Sequence, residues 1–225
     1  MIPLHHFDLL KFSTELVYTA LIVILCFLIY YKTKEIDNLT KHKGIHYFRQ
    51  AFLFFGLAYV ARFLIFLTKL TFEFPFPRRT IFPICMVVVG YLSTISIFYL
   101  IYSTVWRKIH LKPFLFFSHG LAILLSALAL LSGSPITFAL VQLGLMIFVL
   151  IMGLKKDKKR KYFSQIKVLY ILLFVFWLSS IFVLGLKRIF PFELKLIFQI
   201  VSLAVFGFIS YKVIKRIKWL EKGKD

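Results

Sequence analysis

Apolar residues fall into seven blocks along this chain, each about as long as a helix needs to cross a bilayer. The blocks run over residues 12–31, 51–70, 81–105, 113–131, 135–154, 166–186 and 194–214. Cations, prolines or a Ser-Gly-Ser-Pro turn (132–135) separate them. At a helical rise of about 1.5 Å per residue, 20 residues cover roughly 30 Å, the thickness of the hydrocarbon core. The pattern predicts an all-α polytopic membrane protein, a seven-transmembrane-helix bundle forming a single domain over residues 1–225. Pro113 falls in the first turn of its block, where a missing N–H costs nothing. The first block is followed, not preceded, by its cations (Lys32, Lys34) and is long enough to span, so it reads as a retained helix and not as a secretory signal.

Orientation follows from where lysine and arginine lie. The odd-numbered connections and the C-terminal segment carry 21 of them, the opposite side carries seven, and Arg62 stands inside a block. Short loops rich in Lys and Arg stay cytoplasmic. The N-terminus is therefore expected outside and the C-terminus in the cytoplasm, in a multi-pass protein of the cell membrane. Two short echoes relate blocks 1–3 to blocks 5–7. Tyr47-Phe48-Arg49-Gln50 matches Tyr162-Phe163-Ser164-Gln165, and Ile81-Phe82-Pro83 matches Ile189-Phe190-Pro191. They fit either a 3+1+3 repeat or chance similarity in a chain rich in Phe and Ile.

Composition narrows the partners. At 60% hydrophobic residues the chain exceeds the 45–50% usual for soluble domains, which excludes a water-soluble globule. The net charge of +20 does not point to nucleic acid, because the cations gather in short connections between apolar blocks. Anionic lipid headgroups are their nearest partners. The densest group is Lys155, Lys156, Lys158, Lys159, Arg160 and Lys161, followed by the C-terminal cations. Cys26 and Cys85 lie near opposite faces in this topology and are expected as free thiols.

Candidate chemistry centres on the charges inside the blocks. A guanidinium in the second block costs about 2.5–3.5 kcal/mol at a helix centre, so Arg62 needs a partner. Glu15 is the one carboxylate inside a block, and Arg62 can snorkel toward it. Asp8, Lys11 and Glu15 follow i+3 and i+4 spacing and share a helix face. This outer cluster of Asp8, Lys11, Glu15 and Arg62 reads either as a ligand- or proton-linked switch or as a pair that orients two helices. Tyr59, Tyr91, Tyr99, Gln142, Trp177 and Gln199 are candidates for a midplane cavity, or equally for helix-to-helix hydrogen bonds. His5, His6 and Asp8 lack a fourth ligand, and His42 and His46 lack the intervening glutamate of HExxH, so no metal site and no cofactor are expected. His119 reads as a helix contact. Walker, GxGxxG, HExxH and GxSxG motifs are absent, and so is any connection long enough for a catalytic domain.

The layout is similar to that of microbial rhodopsins, seven-helix receptors and small sugar carriers of the SWEET type, with none of their residue motifs. A retinal lysine, a DRY triplet and a PQ pair are all missing. The expectation is a non-enzymatic sensory or signalling module that meets a cytoplasmic or membrane partner protein. The alternative is a small-solute transporter built of two parallel three-helix repeats around a midplane site.

Overall fold

The computed structural model describes residues 9–71, 81–106, 111–131, 135–155, 163–185 and 191–222. Among them every regular element is a helix: α1 Leu9–Thr40, α2 Lys43–Thr71, α3 Ile81–Val105, α4 Leu111–Leu131, α5 Pro135–Lys155, α6 Phe163–Gly185 and α7 Phe192–Lys222. Four of them, α1, α2, α3 and α7, contain stretches long and apolar enough to cross a membrane, and shorter apolar stretches lie in α4, α5 and α6.

The largest departure from the expected boundaries is at the first junction. The apolar block ends at Tyr31, but α1 continues to Thr40, and α2 begins at Lys43 rather than Ala51. Nothing between Lys32 and Asn38 breaks a helix, because charged side chains there cost little helix propensity. What stops α1 is backbone geometry: Lys41 turns into the left-handed region at φ 46° while its N–H still reaches the Asp37 carbonyl at 2.8 Å. The carbonyl of His42 then accepts the N–H groups of Ile45 (2.9 Å) and His46 (3.2 Å), starting α2.

Neighbouring helices close a ring in the order α1, α2, α3, α5, α6, α7 and back to α1, with α4 laid against α3 and α5. Register shows their directions. Tyr18 meets Tyr59 while Tyr30 meets Arg49, so α1 and α2 are antiparallel. Glu15 meets Lys195 and Tyr18 meets Ser202, so α1 and α7 are parallel.

Aromatic rings fill the inside of the ring. Phe55 of α2 contacts Phe176 (5.5 Å between centroids) and Trp177 (5.1 Å) of α6, and Phe206 of α7 (6.2 Å). Phe176 and Phe206 pack at 4.6 Å, and Phe52 joins Phe206 at 5.9 Å. All five are buried. Lipid tails are as apolar as these rings, so burial alone gives little drive inside a bilayer. Ring-pair contacts of about 0.5–1.5 kcal/mol each and close packing must hold this centre instead.

The distribution of polarity is the reverse of a soluble protein's. The exterior presents Phe116 at 84%, Leu131 at 81% and Leu140 at 61% exposure, while Thr19, Thr94 and Ser202 are fully buried. Those buried hydroxyls are satisfied locally or across helices: Thr19 donates to the Glu15 carbonyl at 2.6 Å and Ser210 to that of Phe206 at 3.0 Å. An apolar outer surface of this extent needs lipid around it. Close approach between α5 and α6 depends on Gly153, where a Cβ would come within 2.8 Å of the Tyr170 ring.

Candidate ionic site between the first and last helices

Charge enters the bundle where α1, α2, α6 and α7 meet. On α1, Lys11, Glu15 and Tyr18 follow spacings of four and three and share a face; on α7, Lys195, Gln199 and Ser202 do the same. Because α1 and α7 run parallel in contact, the two faces meet in register. Lys195 Nζ donates to Glu15 Oε1, forming a salt bridge with both side chains mostly buried, at 10% exposure for Glu15 and 16% for Lys195. One turn deeper, the Tyr18 and Ser202 hydroxyls share a hydrogen bond of 3.0 Å.

From α2, Tyr59 packs edge-on against Tyr18 at 6.4 Å, and its hydroxyl faces Tyr18 and Ser180 of α6. The Arg62 guanidinium lies over the Tyr59 ring at 5.8 Å, and Arg62 is 9% exposed. Stacking on an aromatic face suits a planar, weakly hydrated cation. Lys11 sits over the Phe192 ring at 5.5 Å, at the exposed rim. Gln199 is 5% exposed, and its Nε2 has no hydrogen-bond partner among the described residues. A buried amide donor in that state costs about 1–3 kcal/mol, so this is the point of the site with unused recognition capacity.

Glu15, expected as the partner for Arg62, is met by Lys195, a residue that the order of blocks assigns only to the entrance of the last helix. Arg62, one turn along α2 from Tyr59, is held over the Tyr59 ring. Lys195 and Tyr18 are the members of the site that sequence reasoning missed, while Ser202 reads from the sequence only as a mid-membrane polar residue. Their signal is the matching spacing on two otherwise apolar helices. Asp8, His5 and His6 lie outside the described residues, as do Lys156, Lys158, Lys159, Arg160 and Lys161. Lys155 ends α5.

The six cavity candidates do not gather at one place. Tyr59 and Trp177 both contact Phe55, and Gln199 lies on the ionic face of α7. Tyr91 and Tyr99 belong instead to a cluster with α4: the Tyr91 hydroxyl and His119 Nδ1 share a hydrogen bond of 2.7 Å, and Tyr99 stacks on Phe54 at 5.1 Å. Gln142 of α5 donates through Nε2 to Ser93 Oγ (2.7 Å) and Thr94 Oγ1 (3.2 Å) of α3. On α3 too, Tyr102 bonds Ser118 and donates to the Phe114 carbonyl of α4 at 2.7 Å, and Ser103 bonds the Tyr170 hydroxyl of α6 at 3.0 Å. These bonds tie helices together across the bundle.

At the other end of α1 a second ionic group closes the turn into α2. Asp37 is buried, and its Oδ2 lies 2.9 Å from both Arg49 Nη1 and His46 Nδ1. Arg49 also lies over Tyr30 at 5.3 Å. His42 packs edge-on against Trp106 at 4.9 Å, over Gly44. Among the described residues, no cluster of three His, Cys, Asp or Glu side chains is placed to hold a metal ion. Cys26 and Cys85 are both free thiols.

Comparison with known proteins yields one informative relative. An Archaeoglobus fulgidus protein described as uncharacterized is 33% identical over 180 residues, covering 75% of this chain and 78% of its own. No family model matches the chain, and no solved structure matches it.

Proposed function

The chain belongs to one family with that uncharacterized Archaeoglobus fulgidus protein, and from the geometry of the present member we propose a non-enzymatic sensory module of seven membrane-spanning helices. Its N-terminus is outside and its C-terminus cytoplasmic, as the lysine and arginine asymmetry indicates. The observation that carries the reading is the Glu15–Lys195 pair joining the first and last helices, with Arg62 over the nearby Tyr59 ring and the Gln199 Nε2, which has no partner among the described residues, one turn below. Ionisable groups at membrane depth mark functional sites by default. Protonating Glu15, or offering either charge a ligand's counter-charge, removes the ionic tie between α1 and α7 and leaves the Tyr18–Ser202 hydrogen bond. The two helices extend well beyond their apolar stretches into the basic segments, so a change in their packing is carried to the surface a partner protein would meet. The packed aromatic centre supports this reading over a carrier, which needs a polar midplane site open to each side in turn.

Spin labels test it. With cysteines at Lys34 and Lys215, both exposed near the far ends of α1 and α7, the inter-label distance in nanodiscs should change by about 2 Å or more in Glu15→Gln, the scale of interfacial helix shifts. An unchanged distance in both Glu15→Gln and Lys195→Met, with helicity retained, overturns the switch. Uptake of a solute into proteoliposomes that depends on Trp177 and Gln199 would establish the carrier instead.

A further inference from the structure

The turn from α1 into α2 forms an open surface pocket of about 390 Å³ lined by Asp37, Asn38, Lys41, Lys43 and His46, within the lower volume range of small-ligand sites. Its charge is the informative property. Asp37, the pocket's one carboxylate, is already held at 2.9 Å by the partly buried Arg49, so that pair is neutral as a unit. Lys41 and Lys43 then remain on the rim, both exposed. The other acid nearby, Glu35, is two residues from Asp37 on α1 and so points about 200° away. The C-terminal end of α1 and the N-terminal end of α2 meet here, and their opposite dipoles largely cancel. The field in the pocket is therefore set by side chains and is positive. A metal cation is disfavoured, since it would face two ammonium groups across a carboxylate that is already neutralised.

We propose that this pocket binds a phosphate-bearing anion, with Lys41 and Lys43 as its counter-charges, Asn38 as a hydrogen-bond donor and the Asp37–Arg49–His46 group as the rigid wall that holds both helix ends in place. Asp37 lies six residues past Tyr31, roughly 9 Å beyond the end of the apolar block of α1. The headgroup layer is about 5–7 Å deep on each side. The pocket thus sits at the outer edge of that layer, within reach of a lipid phosphate and of a soluble one. The shape is held by backbone as well as by charge: the positive φ of Lys41 turns the chain, and Gly44 admits Trp106, whose Nε1 would lie 2.9 Å from any Cβ added there.

The test uses the full chain in neutral detergent, titrated separately with dihexanoyl phosphatidic acid and with inorganic phosphate. Saturable one-to-one binding is expected. The Lys41→Gln/Lys43→Gln variant should weaken it about 30-fold, from roughly five-fold per lysine at a phosphate surface. Binding of phosphatidic acid that inorganic phosphate does not displace assigns the site to a lipid headgroup. Equal affinity for the two assigns it to a soluble phosphate. A second readout does not depend on the lysines: an Asn38→Cys thiol should be labelled by maleimide more slowly when the bound species saturates the pocket. Absence of saturable binding by both probes, unchanged affinity in the double variant, or no protection of position 38 would overturn the proposal.

Discussion

Breaking the Glu15–Lys195 pair is the perturbation whose cost can be worked most directly. Both side chains lie below one-fifth exposure, so neither charge is well solvated once its partner is gone. Two unit charges about 4 Å apart attract by about 4 kcal/mol at an effective dielectric of 20. The desolvation of each ion offsets much of this, but only while the pair is intact. Single replacements, Glu15→Gln or Lys195→Met, should each destabilise the bundle by about 3–5 kcal/mol, because each leaves a mostly buried charge without this counter-charge. The double replacement should cost no more than either single one, which corresponds to a coupling energy of roughly 3–5 kcal/mol. Reversible unfolding in mixed micelles, read by circular dichroism, gives the four corners of the cycle. The same cycle run on Glu15 and Arg62 shows how far the guanidinium shares the carboxylate. Additivity of the Glu15 and Lys195 effects within about 0.5 kcal/mol would mean that the pair is not energetically coupled, and the switch built on it would fall too.

Further outcomes follow from other contacts. Gly153→Ala should cost about 1–3 kcal/mol, since its methyl would press on the Tyr170 ring of α6; unchanged thermal stability would show that α5 and α6 can separate freely. Gln142→Leu should cost about 1 kcal/mol, the usual worth of an interhelical hydrogen bond in a membrane, and a neutral effect in unfolding would remove Gln142 from the ties between α3 and α5. Asp37→Asn should loosen the α1–α2 junction and raise hydrogen exchange of the amides from Lys41 to His46, with no change expected at the Glu15 end. A cysteine at Lys158 should react with an impermeant maleimide only after the membrane is opened, while one at Arg78 reacts from outside; labelling of position 158 in intact cells would reverse the proposed topology.

How much of this was legible in the sequence depends on the range of the forces involved. Helix existence was legible because the apolar blocks have the length a bilayer demands, and a run from Ile81 to Val105 can satisfy its backbone in lipid only as a helix. The α1–α2 boundary was not. Hydropathy marks where α1 leaves the apolar zone, near Tyr31, whereas the helix itself ends where Lys41 adopts a positive φ, and no residue type announces that turn. The Asp37 group was hidden for the same reason: with the apolar block of α1 ending at Tyr31, Asp37 has no fixed spacing to His46 and Arg49. Once the helices run to Thr40 and start again at Lys43, the three must converge.

Partner choice is the harder step, and Glu15 shows why. A buried carboxylate requires a cation, and that requirement can be read from composition alone. That Lys195 meets Glu15 depends on α7 adjoining α1, as α2 with its Arg62 also does, and hydropathy says nothing of ring order. Closure of α7 onto α1 brings together residues 180 positions apart. What the sequence did carry was the facing: Glu15 and Tyr18 on α1, and Lys195, Gln199 and Ser202 on α7, repeat at intervals of three and four on helices that are otherwise apolar. Two such stripes are costly if each faces lipid and stabilising if they face each other. The same logic separates the two ends of α1. The Glu15 stripe lies within the apolar stretch, so its charges must be matched inside the bundle. The Lys41–Lys43 rim lies beyond it, where an excess of positive charge persists and can meet an anion from outside the chain.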